Sequence, residues 1–424
     1  MSEQATQPER NKILVVDDNE DIIKVMRFLI SAKTDVEAIY AESFSEAMVL
    51  AEQHRDSIFL TILDLNLPDS PEGEVVQHIL SLGLPAIVFT GNFDPEKRKQ
   101  FLDLGVVDYV LKDNRMVYEY IIRIINRIWR NRHISVLVVD DSFTMRNQLV
   151  RFLLLQQLQI HTAADGVEAL AVLKEHPDIK LVITDHNMPN MDGFQLVTEI
   201  RRHHAREDLG IIGLSGEGSG ELSARFLKIG ANDFLAKPFY HEEFFSRIMQ
   251  NLETMEQLEE IREASRRDYL TNLYNRRYFY ERAQELFKNA EKSSAQLSVA
   301  ILDIDHFKQV NDEYGHDVGD LVIKNLAALL NSEFSDQLVA RFGGEEFCIL
   351  FSGVKTDDVM QRLDNFRQKL DEQRLDIETD SISYTLSTGV DVSVDKGIDK
   401  MITGADQALY RAKAAGRNRV ELNS

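Results

Sequence analysis

An internal repeat constrains the fold of this chain more than any other feature. The sequence ILVVDD at residues 13–18 recurs as VLVVDD at residues 136–141, and LDLNLP at residues 63–68 recurs as TDHNMP at residues 184–189. FTG and DYVLK in the first copy then match LSG and DFLAK in the second, in the same order. The copies are separated by a nearly constant distance of about 120 residues, which indicates a tandem duplication.

Each copy alternates short runs of β-branched residues with amphipathic stretches. In the second copy, residues 135–139, 181–184 and 211–214 are typical of buried strands, and residues 145–156 and 166–175 are typical of helices. Strands that alternate with helices predict a parallel sheet covered by helices on both faces. The polar residues matched between the copies directly follow strands, where such sheets collect their functional groups.

Composition excludes several classes of protein. Asp and Glu outnumber Lys and Arg by 70 to 48, and the net charge of −22 disfavours a nucleic-acid partner. The single cysteine, Cys348, excludes an intrachain disulfide and a cysteine-based zinc site, and it fits a reducing compartment. No apolar run approaches about 18 residues, and residues 1–10 lack a signal-peptide pattern, so we expect a cytoplasmic protein without membrane insertion.

Five polar residues form the same pattern in both copies. They are a pair of adjacent carboxylates after one strand, a third carboxylate after another, and then a hydroxyl and a lysine after the next two. In this order they are Asp17, Asp18, Asp64, Thr90 and Lys112 in the first copy, and Asp140, Asp141, Asp185, Ser215 and Lys237 in the second. Adjacent carboxylates repel each other unless a cation lies between them, and Mg²⁺ fits oxygen ligands. The whole set suits the formation of an aspartyl phosphate.

This pattern resembles the receiver domain of bacterial two-component response regulators along the full length of both copies. The resemblance implies a flavodoxin-like fold and one Mg²⁺ per receiver. It implies phosphoryl transfer from a histidine kinase or phosphotransfer protein to Asp64, Asp185 or both. It also implies that the backbone carbonyls of Asn66 and Asn187 complete the Mg²⁺ sites.

The two copies match the receiver family unequally. Tyr109 and Phe234 both occupy the family's aromatic switch position. In the second copy Pro238 follows the lysine, as is usual in the family, and the bond before it is commonly cis. In the first copy Asp113 replaces this proline and adds a negative charge beside the pocket. We therefore expect Asp185 to be the more conventional phosphoacceptor.

The third part of the chain matches neither repeat. Residues 297–302 are typical of an apolar strand that ends at Asp303. Residues 338–342 and 347–351 flank the sequence Gly-Gly-Glu-Glu, which predicts a hairpin with two carboxylates at its tip. If Asp303 lies on the adjacent strand, the two acidic groups can share two divalent ions held about 4 Å apart for phosphoryl displacement.

Residues 264–422 resemble the GGDEF family of diguanylate cyclases. The matching motifs are DYLTNLYNRR (268–277), DIDHFK (303–308), NDEYGH (311–316), GD (319–320), RFGGEEF (341–347) and KAAGRN (413–418). The resemblance implies a ferredoxin-like βαββαβ fold and the condensation of two GTP molecules to cyclic di-GMP and two pyrophosphates.

The same resemblance implies roles for individual residues. Asp303 and Glu345, with the Ile304 carbonyl, would bind two Mg²⁺ ions. Glu345 or its metal-bound neighbourhood would assist deprotonation of the attacking 3′-hydroxyl, and the catalytic residues would be Glu345, Asp303 and Lys308. The substrate contacts would be Phe307, Lys308, Lys413 and Arg417 for the phosphates, and Asn311 and Asp320 for guanine. Asp320 can accept from the ring N–H and amino group of guanine, which adenine cannot match. Phe334 and Gln337 replace the arginine and aspartate of the usual inhibitory site, which predicts weak feedback by the product.

The resulting prediction is an α/β multidomain protein of the PleD-type arrangement, with two receivers before a GGDEF domain. The predicted bounds are 1–130 for the first receiver, 131–250 for the second, 251–267 for a helical, coiled-coil-like linker and 268–424 for the GGDEF domain. Apolar residues recur every three or four positions along 241–267, at Phe245, Ile248, Leu252, Met255, Leu258 and Ile261. This segment is either a final helix packed on its own domain or a helix that pairs with a second copy.

Cyclic di-GMP needs two GTP molecules, and each domain is expected to hold one, so the predicted enzyme is a homodimer. Two other classes remain. The third domain could bind GTP or cyclic di-GMP without turnover, or the chain could serve mainly as a phosphorelay adaptor. A DNA-binding output is disfavoured by the net charge of −22 and by the lack of a helix-turn-helix-like tail.

Overall fold

The computed structural model describes residues 11–216, 220–293, 295–377, 380–392 and 397–423. The prediction about the N-terminal ten residues lies outside these ranges. The chain divides into two compact units, with the division between Glu256 and Gln257. In the part of the chain that the structure describes, no helix has the length and apolar character needed to cross a membrane.

The first repeat folds as a five-stranded parallel sheet between two layers of helices, as predicted. In chain order its elements are β1 (Lys12–Val16), α1 (Glu20–Lys33), β2 (Glu37–Ala41), α2 (Phe44–Gln53), β3 (Ile58–Leu63), α3 (Glu74–Ser81), β4 (Ala86–Thr90), α4 (Pro95–Leu104), β5 (Asp108–Leu111) and α5 (Met116–Asn131). The strand order β2-β1-β3-β4-β5 is the flavodoxin-like order. Alternate residues of β1 face opposite sides, with Leu14 and Val16 in one hydrophobic cluster and Ile13 and Val15 in the other.

The second repeat has the same architecture. Its elements are β6 (Ser135–Val139), α6 (Phe143–Leu155), β7 (Gln159–Ala163), α7 (Gly166–Glu175), β8 (Ile179–Asp185), α8 (Gly193–Arg201), β9 (Gly210–Ser215), α9 (Gly220–Ile229), β10 (Asp233–Ala236) and α10 (His241–Arg266). The three predicted strands are all present, and β8 and β9 begin earlier and end later than their apolar runs suggest. The order β10-β9-β8-β6-β7 is equivalent to that of the first repeat.

The long helix α10 packs on its own domain along its first part only. Its first part packs on the second receiver, where Phe245, Leu252 and Met255 are buried. Further along the same helix, Leu258 is 37% exposed and Ile261 is 65% exposed. The apolar seam is therefore core in its first part and accessible in its last turns.

The two receivers lie within one compact unit and contact each other through α5 and α10. The buried guanidinium of Arg127 forms a two-bonded ion pair with Glu256, at 2.8 and 3.0 Å, and also donates to Asn131 Oδ1 at 2.6 Å. Asn131, itself fully buried, donates to the Gln156 carbonyl at 2.9 Å. This largely buried polar network links α5 of the first receiver to α10 and to the Gln156 carbonyl of the second, and each buried group in it has a partner.

The third domain is built on a six-stranded mixed sheet. Its elements are β11 (Tyr274–Asn275), α11 (Arg276–Ser293), β12 (Leu297–Ile304), α12 (Phe307–Tyr314), α13 (His316–Glu333), β13 (Leu338–Gly343), β14 (Glu346–Ser352), α14 (Thr356–Glu372), β15 (Leu375–Ile377), β16 (Asp380–Ile382), β17 (Leu386–Asp391), α15 (Ile398–Ala414) and β18 (Val420–Leu422). The antiparallel strands β13-β14-β12-β17 with α13 and α14 form the predicted ferredoxin-like βαββαβ core. Strands β11 and β18 add parallel pairs at its edges.

Candidate functional sites

The first receiver brings its predicted pocket residues together at the carboxyl edge of the sheet. Lys112 follows β5, and its Nζ donates to Asp17 Oδ2 and to Asp64 Oδ2, each at 2.6 Å. The lysine side chain is 8% exposed, so this ion pair is shielded from water. Asp18 is exposed at the mouth of the pocket. Asn66 follows on the same loop, and its amide donates to Asp64 Oδ1 at 3.3 Å.

The three carboxylates of this pocket could hold a divalent cation. One oxygen each from Asp17, Asp18 and Asp64 lies within 4.8 Å of the others. Burial raises the pKa of Asp17, and this effect outweighs the opposing influence of Lys112. A hard cation with oxygen ligands would stabilise the ionised carboxylates, so the residues present fit Mg²⁺.

The switch residues of the first receiver lie beside the pocket. Thr90 is the buried last residue of β4, and its carbonyl accepts from the Lys112 amide at 2.8 Å. Tyr109 is 7% exposed and points inward, with its hydroxyl donating to the Asn92 carbonyl at 3.2 Å. The Asn92 amide also donates to Thr90 Oγ1 at 3.4 Å, so Asn92, in the loop after β4, connects Tyr109 to Thr90.

The second receiver forms the equivalent pocket. Lys237 Nζ donates to Asp140 Oδ2 at 2.8 Å and to Asp185 Oδ1 at 2.6 Å, while Asp141 is exposed. Burial alone would lower the pKa of Lys237, but its hydrogen bonds to the two carboxylates raise the pKa overall. The peptide bond between Lys237 and Pro238 is cis, as the resemblance predicts.

The second pocket differs from the first in detail. The Ser215 hydroxyl donates to the Gly216 carbonyl at 3.0 Å, and the Asn187 amide donates to Asp185 Oδ2 at 2.9 Å. Phe234 is half-buried against Phe226, with ring centroids 5.8 Å apart. Across the described ranges, three carboxylates bring one oxygen each to within 4.8 Å of one another in the first pocket but not in the second.

The third domain presents its acidic residues on a hairpin. Strands β13 and β14 are joined through Gly343 and Gly344, whose φ angles of 145° and 54° favour glycine. Glu345 at the tip is half-buried. On the neighbouring central strand β12, Asp303 lies opposite Glu346, and the Ile304 amide donates to the Glu345 carbonyl at 3.4 Å. The register therefore places Asp303 and the hairpin acids together, as predicted.

Asp303 is the buried carboxylate of this cluster. Its Oδ2 accepts from Lys413 Nζ at 2.8 Å. Burial raises the pKa of Asp303, as does the nearby charge of Glu345, and the hydrogen bond from Lys413 only partly opposes them. A buried carboxylate with incomplete charge compensation favours a cation at this place, and the oxygen donors here suit Mg²⁺.

The other predicted substrate residues surround α12 and α13. Phe307 and Lys308 begin α12, with Phe307 buried and Lys308 exposed. Asn311 lies so close to Gly319 that a Cβ added there would be 2.0 Å from Asn311 Oδ1. Asp320 is the next residue and is exposed. Among the described residues, no hydrogen bond or ion pair joins Lys308, Asp320 or the exposed Arg417 to the carboxylate cluster.

The role of Asp305 could not be predicted from any sequence pattern. This carboxylate is 4% exposed and accepts hydrogen bonds from Thr385 Oγ1 at 2.8 Å, Ser387 Oγ at 2.7 Å and the Asn418 amide at 3.0 Å. It ties the end of β12 to β17 and to the loop after α15. The DIDHFK motif contains both Asp303 and Asp305. Only the contacts in the structure show that the charge of Asp305 is stabilised by several hydrogen bonds, whereas that of Asp303 is only partly compensated by Lys413.

The two positions at which the usual inhibitory motif is replaced serve the core. Phe334 is fully buried, with its ring 5.6 Å from that of Phe351 and 5.5 Å from that of Phe366. Gln337 Oε1 accepts from the Ser352 amide at 2.9 Å. These side chains are therefore committed to packing and to a strand contact.

Comparison with known families agrees with this geometry. The model of the response regulator receiver domain matches residues 13–118 and 136–249, which together exceed half of the chain. The model described as "Diguanylate cyclase, GGDEF domain" matches residues 265–419. The chain belongs to the response regulators, with a GGDEF diguanylate cyclase domain at its C-terminal end.

Several known proteins are similar to this response regulator. Response regulator PleD of Caulobacter vibrioides is 25% identical, over 96% of this chain and 98% of PleD. Diguanylate cyclase DgcP of Pseudomonas aeruginosa is 35% identical over 41% of this chain and 28% of its own length. A solved structure of a two-component response regulator/GGDEF domain protein is 40% identical, covers 58% of this chain and 99% of its own, and has a TM-score of 0.54.

Proposed function

We propose that this response regulator condenses two GTP molecules to cyclic di-GMP and two pyrophosphates, under the control of receiver phosphorylation. The observation that carries the proposal is the buried Asp303, held between Lys413 and the Gly-Gly hairpin that presents Glu345. This arrangement suits phosphoryl displacement, in which charge must be stabilised on both the attacking and the leaving oxygen.

The oxygen donors of the hairpin site are suited to holding two Mg²⁺ ions. Asp303, Glu345 and the Ile304 carbonyl would hold them, and when bound the metals would stabilise the charge that develops on the phosphoryl group. Glu345 or its metal-bound neighbourhood would assist the deprotonation of the attacking 3′-hydroxyl, and Asp303 and Lys308 would complete the catalytic residues. Lys413 would orient Asp303 and bind phosphate.

The remaining substrate residues would fix the nucleotide. Asn311 and Asp320 lie on adjacent turns of α12 and α13, where they would hydrogen-bond the guanine edge. The phosphates would be contacted by Phe307, Lys308, Lys413 and Arg417. We expect weak inhibition by the product, because Phe334 and Gln337 occupy the positions of the usual inhibitory motif.

Each receiver would accept a phosphoryl group from a histidine kinase or phosphotransfer protein, on Asp64, Asp185 or both. The metal ligands would be Asp17, Asp18, Asp64 and Asn66 in the first receiver, and Asp140, Asp141, Asp185 and Asn187 in the second. Lys112 and Lys237 would neutralise the phosphoryl charge, and Thr90 and Ser215 would bond its oxygens. Tyr109 and Phe234 would then change position.

A homodimer would bring two GTP-loaded domains face to face. Leu258 and Ile261, exposed late in α10, offer an apolar seam for a second copy of the helix.

The proposed domain bounds are 1–130, 131–250 and 268–424, with 251–267 as the linker. GTP and the phosphodonor are cytoplasmic, so we infer the same compartment for this chain.

The test is direct synthesis of cyclic di-GMP by the purified full chain with GTP and Mg²⁺. Wild type should form the product, and Glu345→Gln and Asp303→Asn should lose it. Glu285→Gln, which changes an exposed carboxylate in the same domain, should not. GTP binding without product in wild type would contradict the proposal and favour a non-catalytic, GTP-binding phosphorelay adaptor.

A further inference from the structure

Arg341, in the third domain, connects the start of the domain to the hairpin that presents Glu345. Its Nη1 donates to Asp268 Oδ1 at 2.9 Å. Its Nε and Nη2 both donate to the Gly344 carbonyl, at 3.0 and 2.8 Å. The side chains of Arg341 and Asp268 are 9% and 17% exposed, so the ion pair is largely shielded from water. One guanidinium therefore links the start of the domain to the hairpin.

This contact requires the shape of arginine. The guanidinium is planar and has five N–H donors in a fixed geometry, which allows two bonds to one carbonyl and a third to a carboxylate in the same plane. A lysine ammonium keeps the charge but lacks this planar fork. Because the pair is largely buried, loss of either partner also leaves a charge without compensation.

The bonded carbonyl belongs to the residue directly before Glu345. Gly343 and Gly344 have no side chains, and no atom beyond their chain neighbours lies within 4 Å of where a Cβ would be. A Gly-Gly turn is also the most freely moving backbone available. The two bonds from Arg341 therefore restrain the tip that presents Glu345.

Asp268 ties the same arginine to the end of α10. The helix ends at Arg266, two residues before Asp268. Asp268 is held by the Thr271 amide at 3.0 Å and the Thr271 hydroxyl at 2.8 Å. Although burial alone would raise the pKa of Asp268, its bonds to Arg341 and Thr271 lower the pKa overall, so the carboxylate stays ionised.

We propose that Arg341 is a positioning residue that fixes Glu345 through the Gly344 carbonyl, and that Asp268 links this position to the end of α10. A change at the end of the helix is then felt at the catalytic hairpin, with no contact between Asp268 and substrate. This inference rests on the proposed function and adds a route by which the receivers regulate it.

The first test compares Arg341→Lys with a matched control, Arg362→Lys, in the full chain. Arg362 forms a two-bonded ion pair with Asp336, at 2.8 and 3.1 Å. Asp336 precedes β13, so this pair lies at the end of the strand opposite the hairpin tip. Arg341→Lys should lower kcat by about 100-fold, as small misplacements at reacting groups do, and leave KM for GTP within about twofold. It should also raise the Mg²⁺ concentration needed for half-maximal rate. Equal kinetic effects in both variants would overturn the proposal.

The second test concerns Asp268→Asn, which keeps the shape of the side chain and removes its charge. We expect this variant to retain most of its basal synthesis, because Arg341 still bonds the Gly344 carbonyl, but to lose most of the stimulation by beryllofluoride. Stimulation equal to that of wild type would refute the link to α10.

Hydrogen exchange at residues 341–347 separates this inference from the proposed function. Arg341→Lys should speed deuterium uptake in this peptide, and Arg362→Lys should not, whether or not the wild type makes cyclic di-GMP. Unchanged uptake in Arg341→Lys would overturn the positioning role even in an active enzyme.

Discussion

Two aspartates at the end of β12, two residues apart, have different environments and therefore different expected roles. Asp303 pairs with Lys413, and burial raises the pKa of Asp303. Asp305 accepts three hydrogen bonds that join β12 to β17 and the loop after α15. Under the proposed function the first carboxylate would hold a metal, and the second stabilises the fold around it.

We expect Asp305→Ala to destabilise the third domain by about 2–4 kcal/mol, because one buried and two partly buried donors lose a charged acceptor. Urea unfolding of the full chain, followed by hydrogen exchange within residues 297–304, measures this change. Asp303→Asn provides the comparison and should lose activity without such a loss of stability. A stable but inactive Asp305→Ala would instead indicate a direct role in the reaction.

His241 gives the first unit an acid-sensitive position. Burial lowers its pKa to about 4, and within the described residues its buried Nε2 has no hydrogen-bond partner. Phe152 and Phe245 pack against the ring, with centroids 4.9 and 4.1 Å away. As the first residue of α10, a protonated His241 would also oppose the helix dipole.

Because the folded pKa lies below the unfolded value, the stability of wild type is full above about pH 6.5 and falls as the pH decreases towards 4. His241→Phe should remove about 1 kcal/mol of this loss near pH 5, after allowance for solvent screening. Thermal unfolding at pH 5 and pH 8 measures the effect. Equal pH dependence in both proteins would show that His241 is not the responsible group.

At the scale of elements, the carboxyl edges of the sheets were predictable and the helix contacts were not. Lys112 could be predicted beside Asp17 and Asp64, because parallel strands end at a common edge. The division of α10 into a buried and an exposed part could not be predicted, because the same apolar spacing continues through both parts of the helix. The Arg341–Asp268 pair spans 73 residues and depends on how the hairpin folds back, which no local pattern encodes.

The exposed end of α10 makes a prediction about assembly. Ile261→Glu places a charge in the apolar seam, so we expect weaker self-association and a rate of synthesis that falls steeply on dilution. Sedimentation and turnover should be measured over the same concentration range. Val167→Glu is the control, because Val167 is similarly exposed at 54% but lies on the second receiver. Unchanged assembly in Ile261→Glu would exclude this seam as the contact.

At the scale of the molecule, the first receiver is packed against the last helix of the second. Arg98 on α4 pairs with Glu242 at the start of α10, and Arg127 on α5 pairs with Glu256 further along. Tyr109 lies on β5, which comes between α4 and α5 in the chain. A change of the first receiver at this face would therefore reach α10 within the same compact unit.

The most direct test of the central claim is the rate of cyclic di-GMP formation with and without beryllofluoride, measured in wild type, Asp64→Asn, Asp185→Asn and the double variant. We expect the mimic to stimulate wild type several-fold, the stimulation to be lost in Asp185→Asn, and the unstimulated rate to remain. Stimulation that persists in the double variant, or a wild type that does not respond, would contradict control of the cyclase by its receivers.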